Sequence, residues 1–178
     1  MKRLGRIGRP GHRVNGDRRT RSRGIGWEYV HVAVDDATRL AYVEVLADEK
    51  AVTAVGFLRR AVAHFGEYGI RVERVMTDNG PCYRAIGCAG GGSRARGRRA
   101  RGTRPYRPRT NGKAERFIRT MLGRWAYAAT YQTSAQRCRA LPAWLDYYNH
   151  RRPHGSLSRQ APIERLHTLR NNLVGSYS

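Results

Sequence analysis

Val75-Met76-Thr77-Asp78-Asn79-Gly80 reads as an apolar strand that runs out onto a carboxylate. Asn79-Gly80 permits a tight turn, which leaves Asp78 exposed at the strand end. Further along, Asn111-Gly112-Lys113-Ala114-Glu115-Arg116-Phe117 reads as a helix start with a glutamate in its first turn. Two acidic side chains on rigid elements, in a chain with 35 Lys plus Arg against 13 Asp plus Glu, point to a divalent-metal site. The arginines crowded between them point to phosphate as the group such a metal would act on. Singly, each acid has an ordinary structural use. Asp before Asn-Gly is common turn chemistry, and a first-turn glutamate suits the positive end of a helix dipole.

Working outward, Ile70 to Met76 alternates apolar and charged residues and predicts a strand. Tyr29–Val34 and Leu40–Leu46 are β-branched and aromatic, with Asp35-Asp36-Ala37-Thr38-Arg39 between them as turn chemistry, so a hairpin is expected. Asp48 is expected to cap a helix with Val52, Val55, Leu58, Val62 and Phe65 as its buried stripe, closed by Gly69. Thr110 or Asn111 caps a long helix with an apolar stripe of Ala114, Phe117, Ile118, Met121, Leu122 and Trp125. Beside it runs a basic stripe of Lys113, Arg116, Thr120 and Arg124. A further helix follows Ser134 and takes in Leu141, Trp144, Leu145 and Tyr148, with Pro142 as a kink point. Trp125, Trp144, Tyr147 and Tyr148 stand at helical spacing and read as core. Strands interleaved with helices define an α/β domain.

Two stretches offer no face to bury. Residues 1–26 are a basic, glycine-punctuated segment expected to be irregular, and 84–102 alternates Gly with Arg around a single large aliphatic residue, Ile86. The second is expected to be a disordered loop inside a core running over 27–166, with 167–178 a polar tail. The 178 residues suffice for one domain, and the +22 charge makes a polyanion the expected partner, nucleic acid ahead of an anionic membrane. No run of about 18 apolar residues exists to span a bilayer, and the basic N-terminus lacks the apolar core of a secretory signal. Three cysteines without a CxxC pair argue against a disulfide framework and against zinc, and favour a reducing cytoplasm.

Phosphodiester cleavage and transfer need an activated oxygen, a stabilised leaving oxygen and neutralised charge, which two Mg²⁺ ions roughly 3.5–4 Å apart supply together. Mg²⁺ prefers oxygen, so such a site is built from a few carboxylates, water and substrate oxygens. Asp78 and Glu115 are of that type. Lys113 and Arg116 suit contacts to DNA phosphates.

Three segments carry a family resemblance: Thr77-Asp78-Asn79-Gly80; Thr103-Arg104-Pro105-Tyr106-Arg107-Pro108-Arg109-Thr110-Asn111-Gly112-Lys113-Ala114-Glu115-Arg116-Phe117; and Tyr148-Asn149-His150-Arg151-Arg152-Pro153-His154. Together they resemble the integrase core of bacterial insertion-sequence transposases, above all the IS481 group, relatives of retroviral integrases. The resemblance implies an RNase H-like fold, with a mixed sheet flanked by helices, and a DDE triad binding two Mg²⁺ (or Mn²⁺) ions. It implies hydrolysis at transposon ends followed by strand transfer, in a homo-oligomer on the DNA of a bacterial nucleoid. Asp78 looks like the second acid of the triad and Glu115 the third. Arg107, Arg109, Lys113, Arg116 and Arg119 are the DNA-binding candidates, and His150 and His154 are expected to pack and orient the last helix.

The first acid of the triad has no counterpart. Relatives carry it in a segment resembling Asp-Val-Lys-Lys-Leu-Gly-Arg, and Met1-Lys2-Arg3-Leu4-Gly5-Arg6 begins with Met where the family has Val. The expectation is a misread start codon or a true truncation, with the opening strand largely missing and activity nil or residual. Asp35 and Asp36 read as turn formers rather than substitutes. The 84–102 stretch, where relatives show an amphipathic helix and a short strand, reads as a pair of compensating frameshifts. A catalytically dead, basic DNA-binding relic is the alternative to an enzyme, and a small RNA-associated protein of the ribosomal kind is disfavoured by the paired acids.

Overall fold

The computed structural model describes residues 1–8, 25–77, 99–102 and 112–174. Asp78, Arg107, Arg109, the Thr110 or Asn111 cap and the expected loop from 84 to 98 lie outside them. Three antiparallel strands form the sheet: β1 (Lys2–Gly5), β2 (Trp27–Val34) and β3 (Ala41–Leu46), in the order β1-β2-β3. A second, parallel pair joins β4 (Arg74–Thr77) to β5 (Arg99–Gly102). The helices are α1 (Ala51–Glu67), α2 (Gly112–Met121), α3 (Ser134–His150) and α4 (Pro162–Val174).

Side-chain alternation along β2 and β3 sorts the domain into layers. Val30, Ala41 and Val43 face α2 and α3, packing with Leu4, Phe117, Met121, Trp125, Leu141 and Tyr148. Leu40 with Ala33, Tyr42 and Leu46 faces Phe57, Ala61 and Phe65 of α1. The sheet therefore lies between two helical layers, which is the α/β architecture expected. Each large apolar side chain so buried contributes about 1.5–3 kcal/mol, so α2 is held chiefly by Phe117 and Met121 rather than by its charged face.

Several expectations shift in detail. Lys2–Gly5, within the segment expected to be irregular, pairs with β2 from Lys2↔Val30 to Gly5↔Trp27. Leu4, the apolar residue of that stretch, is 1% exposed and pins the strand to the core. Residues 99–102, within the expected loop, form β5, because a ladder uses backbone groups and needs no apolar side chain. On α1 the buried stripe is Ala54, Phe57, Ala61 and Phe65, and Val52 is 84% exposed. The two phenylalanines carry more apolar area than the valines and set the rotation of the helix. Its cap is Lys50, without a side-chain bond, while Asp48 accepts from the Lys50 amide at 3.0 Å.

Gly69 closes α1 as expected. At φ +65° it lets Ile70 N–H donate to Phe65 O (2.9 Å) and its own N–H donate to Gly66 O (2.8 Å), the paired bonds of a Schellman motif. α2 runs on into a π-helical turn, Leu122–Ala126, which swings Trp125 inward so that Nε1 donates to Arg137 O at 2.9 Å. Thr133 caps α3 by accepting from Gln136 N–H, and Pro142 lies inside that helix. Trp125 and Tyr148 are core as expected, whereas Tyr147 is 48% exposed.

Candidate active site

One cleft, of about 870 Å³, opens between the hairpin end of β2, the end of β4 and the start of α2. Met1, Asp35, Asp36, Thr77 and Glu115 all line it. The first turn of α2 carries Glu115 to the cleft because Phe117, two residues on, is anchored beneath it at 2% exposure. Glu115 is exposed, and among the described residues its carboxylate has no hydrogen-bond or ion-pair partner. Thr77, the residue before Asp78, reaches the same space from β4. Glu73, which the sequence reading did not single out, also lines the cleft, exposed, on the segment entering β4.

The two hairpin acids are occupied, in keeping with their reading as turn formers. Asp35 Oδ2 accepts from Thr38 N–H and Thr38 Oγ1, both at 2.8 Å, and closes the turn. Asp36 pairs with Lys113, and its carbonyl accepts from Lys113 Nζ at 3.1 Å and from Arg39. Of the basic candidates, Arg116 and Arg119 are exposed along α2 and Lys113 sits in the cleft wall.

Described residues contain no group of three or more His, Cys, Asp or Glu able to hold a metal ion. Among what they offer a hard cation in the cleft are the exposed carboxylates of Glu73 and of Glu115, the latter on a rigid helix and both donors of the kind Mg²⁺ takes.

The Tyr148–His154 segment serves packing. Asn149 Oδ1 accepts from Ala41 N–H and Nδ2 donates to Ala41 O, both at 2.9 Å, so its amide extends the sheet like a short strand. The sequence singled out the segment but not this role, which depends on the free edge of β3. His154 lies edge-on to Tyr148, and its Nε2 is 3.3 Å from Arg152 Nη1. Since a guanidinium only donates, His154 Nε2 is the acceptor and the ring is neutral. Burial first, then Arg152 and Arg39, lowers its pKa to about 4.

A pH dependence follows. The unfolded imidazole titrates near about 6.5, so between the two values the folded chain binds fewer protons than the unfolded one. The His154 contribution is whole above that upper value and is lost as pH falls toward the lower one, about 3 kcal/mol at most. His31 and His64, lowered by burial, act in the same direction. Urea unfolding at about pH 7 and about pH 4.5 should show a smaller acid loss in His154→Gln than in the parent chain.

A sheet between helical layers, with an acid-bearing helix end over a cleft at its strand ends, defines an α/β core with a candidate site at one edge. Residues 8–108 match the integrase core domain family and residues 96–162 match a second integrase core domain family. The first match covers more than half of the chain, and the chain belongs to the integrase core domain family. Among solved structures it is similar to a chain of the simian T-cell lymphotropic virus intasome in complex with the PP2A regulatory subunit B56 gamma. That pair is 22% identical at a TM-score of 0.62, covering 81% of this chain and 50% of the other. The chain thus spans half the length of that viral chain. It is also similar to the catalytic core domain of BIV integrase (21% identity, TM-score 0.59, 83% and 90% covered). A third likeness is the HTLV-2 integrase catalytic core domain in complex with magnesium (15% identity, TM-score 0.56, 81% and 88% covered). These likenesses carry the fold. No helix among the described residues is long and apolar enough to cross a membrane.

Proposed function

We propose that this chain derives from the catalytic core of a bacterial insertion-sequence transposase of the IS481 group, whose chemistry on nucleoid DNA is phosphodiester hydrolysis and strand transfer, with nil or residual activity in these 178 residues, which hold Asp78 and Glu115 but no counterpart of the first acid. The observation that carries the reading is the cleft at which Thr77, Glu115 and Met1 meet. Asp78, next after Thr77, and Glu115 would hold Mg²⁺ or Mn²⁺, which supplies the activated attacking oxygen and neutralises charge on the phosphate. Lys113, Arg116 and Arg119, with Arg107 and Arg109, would seat the DNA backbone beside them. Related proteins that bridge two DNA ends make a homo-oligomer the working form in this reading.

The test is metal binding by the 178-residue chain itself. Mn²⁺ titration followed by proton relaxation should give weak binding that Asp78→Asn and Glu115→Gln each weaken at least about tenfold. Unchanged binding in both variants would remove the site. A second reading, a catalytically inert DNA-binding relic, draws support from the +22 charge. It predicts salt-sensitive DNA binding that ignores both acid substitutions.

A further inference from the structure

We propose that Asp36 stands in for a DNA phosphate, occupying the cations at the hairpin rim of the cleft until a polyanion displaces it. This rests on the reading of the cleft as the DNA face and adds a regulatory part to it.

The geometry is that of an anion held by two cations. Lys113 pairs with the Asp36 carboxylate and also meets its carbonyl oxygen at 3.1 Å. Arg39 donates to the same carbonyl and lies 3.9 Å from Oδ1. The Asp36 side chain is 84% exposed, and among the described residues its ion-pair partners are these two cations. Arg39 is 17% exposed and sits at φ 66°, a conformation that costs a non-glycine residue free energy. The Asp35–Thr38 bonds keep the turn closed without help from Asp36. Release of the Asp36 side chain therefore leaves both the turn and the helix in place, α2 being anchored by Phe117 and Met121. A phosphodiester presents two anionic oxygens at a separation close to that of a carboxylate, and Lys113 and Arg39 would take it in the same way. The device lets DNA compete for Lys113 while weaker anions, which must also evict an intramolecular carboxylate, are refused.

The experiment measures binding of a fluorescein-labelled duplex oligonucleotide, in EDTA, across a salt series, so that no metal chemistry enters. Asp36→Asn should bind about three- to fivefold tighter, the worth of a surface ion pair. Its salt dependence should steepen by roughly 0.9, one more phosphate being neutralised. Glu67→Gln, an exposed acid outside the cleft lining, controls for net charge and should do much less. Lys113→Ala should cost little in the parent chain and should erase the gain in the Asp36→Asn background. Equal gains from Asp36→Asn and Glu67→Gln, or equal losses from Lys113→Ala in both backgrounds, would overturn the proposal. If Lys113→Ala is silent in both while Arg116→Ala and Arg119→Ala weaken binding, this proposal fails and the DNA face stands. If all three are silent, the DNA face fails with it.

Discussion

Placing a single aspartate directly ahead of Met1 raises Mn²⁺-dependent strand transfer by roughly 10³-fold or more over the 178-residue chain. The expectation comes from the register of β1. Its pairing Lys2↔Val30, carried two residues on, sets the position ahead of Met1 opposite Val32. Side chains alternate along a strand, so that position shares the face of Leu4, which packs with Phe117 and Met121 of α2. The direction is right as well, since β1 read backward runs toward the hairpin end of β2, where Lys113 meets Asp36. Met1 already lines the cleft with Glu115. The added carboxylate would enter the same space, and in the proposed two-metal site it would act as a unit with Asp78 and Glu115, which is why the expected gain is large. Oligonucleotide joining by both chains decides the matter, with Glu115→Gln in the extended chain returning activity to background. Equal joining by the two chains would refute the arrangement.

Arg137→Met costs about 3–5 kcal/mol of folding free energy, a large share of a domain's total. Arg137 is 2% exposed, and its Nη2 donates to Glu28 Oε2 at 2.5 Å and to Gly5 O at 2.8 Å. One guanidinium thus ties α3 to the ends of both β1 and β2. Removing it strands the Glu28 carboxylate at 9% exposure, next to Cys138, whose thiol burial already pushes up. Desolvation of an unpaired charge, rather than loss of the pair itself, dominates that cost. The Arg137→Met, Glu28→Leu double variant should therefore recover most of the loss, as chemical denaturation of the parent chain and the two variants would show. A double variant no more stable than Arg137→Met would contradict this account.

Local pattern reached a good part of this molecule. The hairpin, α1, the Glu115 helix and α3 all follow from short-range signals: β-branched alternation, turn residues, a cap and three-to-four spacing. Other features needed partners distant in sequence. Val52 and Val55 fit a helical stripe as well as Ala54 and Phe57 do, and the sheet chose between them by burying the phenylalanine. β5 carries only Arg, Ala and Gly, so no side-chain pattern announces it, and its ladder with β4 exists only once both backbones meet. Arg137 looks like one more charge in a basic chain until Glu28 and Gly5 close around it.

By itself the sequence determined the strand that ends at Thr77, the helix start that bears Glu115, the chain's own +22 charge and its likeness to the integrase core domain family. Tertiary structure alone decided that Met1, Thr77 and Glu115 share one cleft, that Asp36 rather than solvent receives Lys113, and that Asn149 finishes the edge of β3. The division has one physical cause. Propensity and periodicity act over a few residues, whereas an ion pair, an edge bond or a shared cavity exists only after folding brings remote segments together.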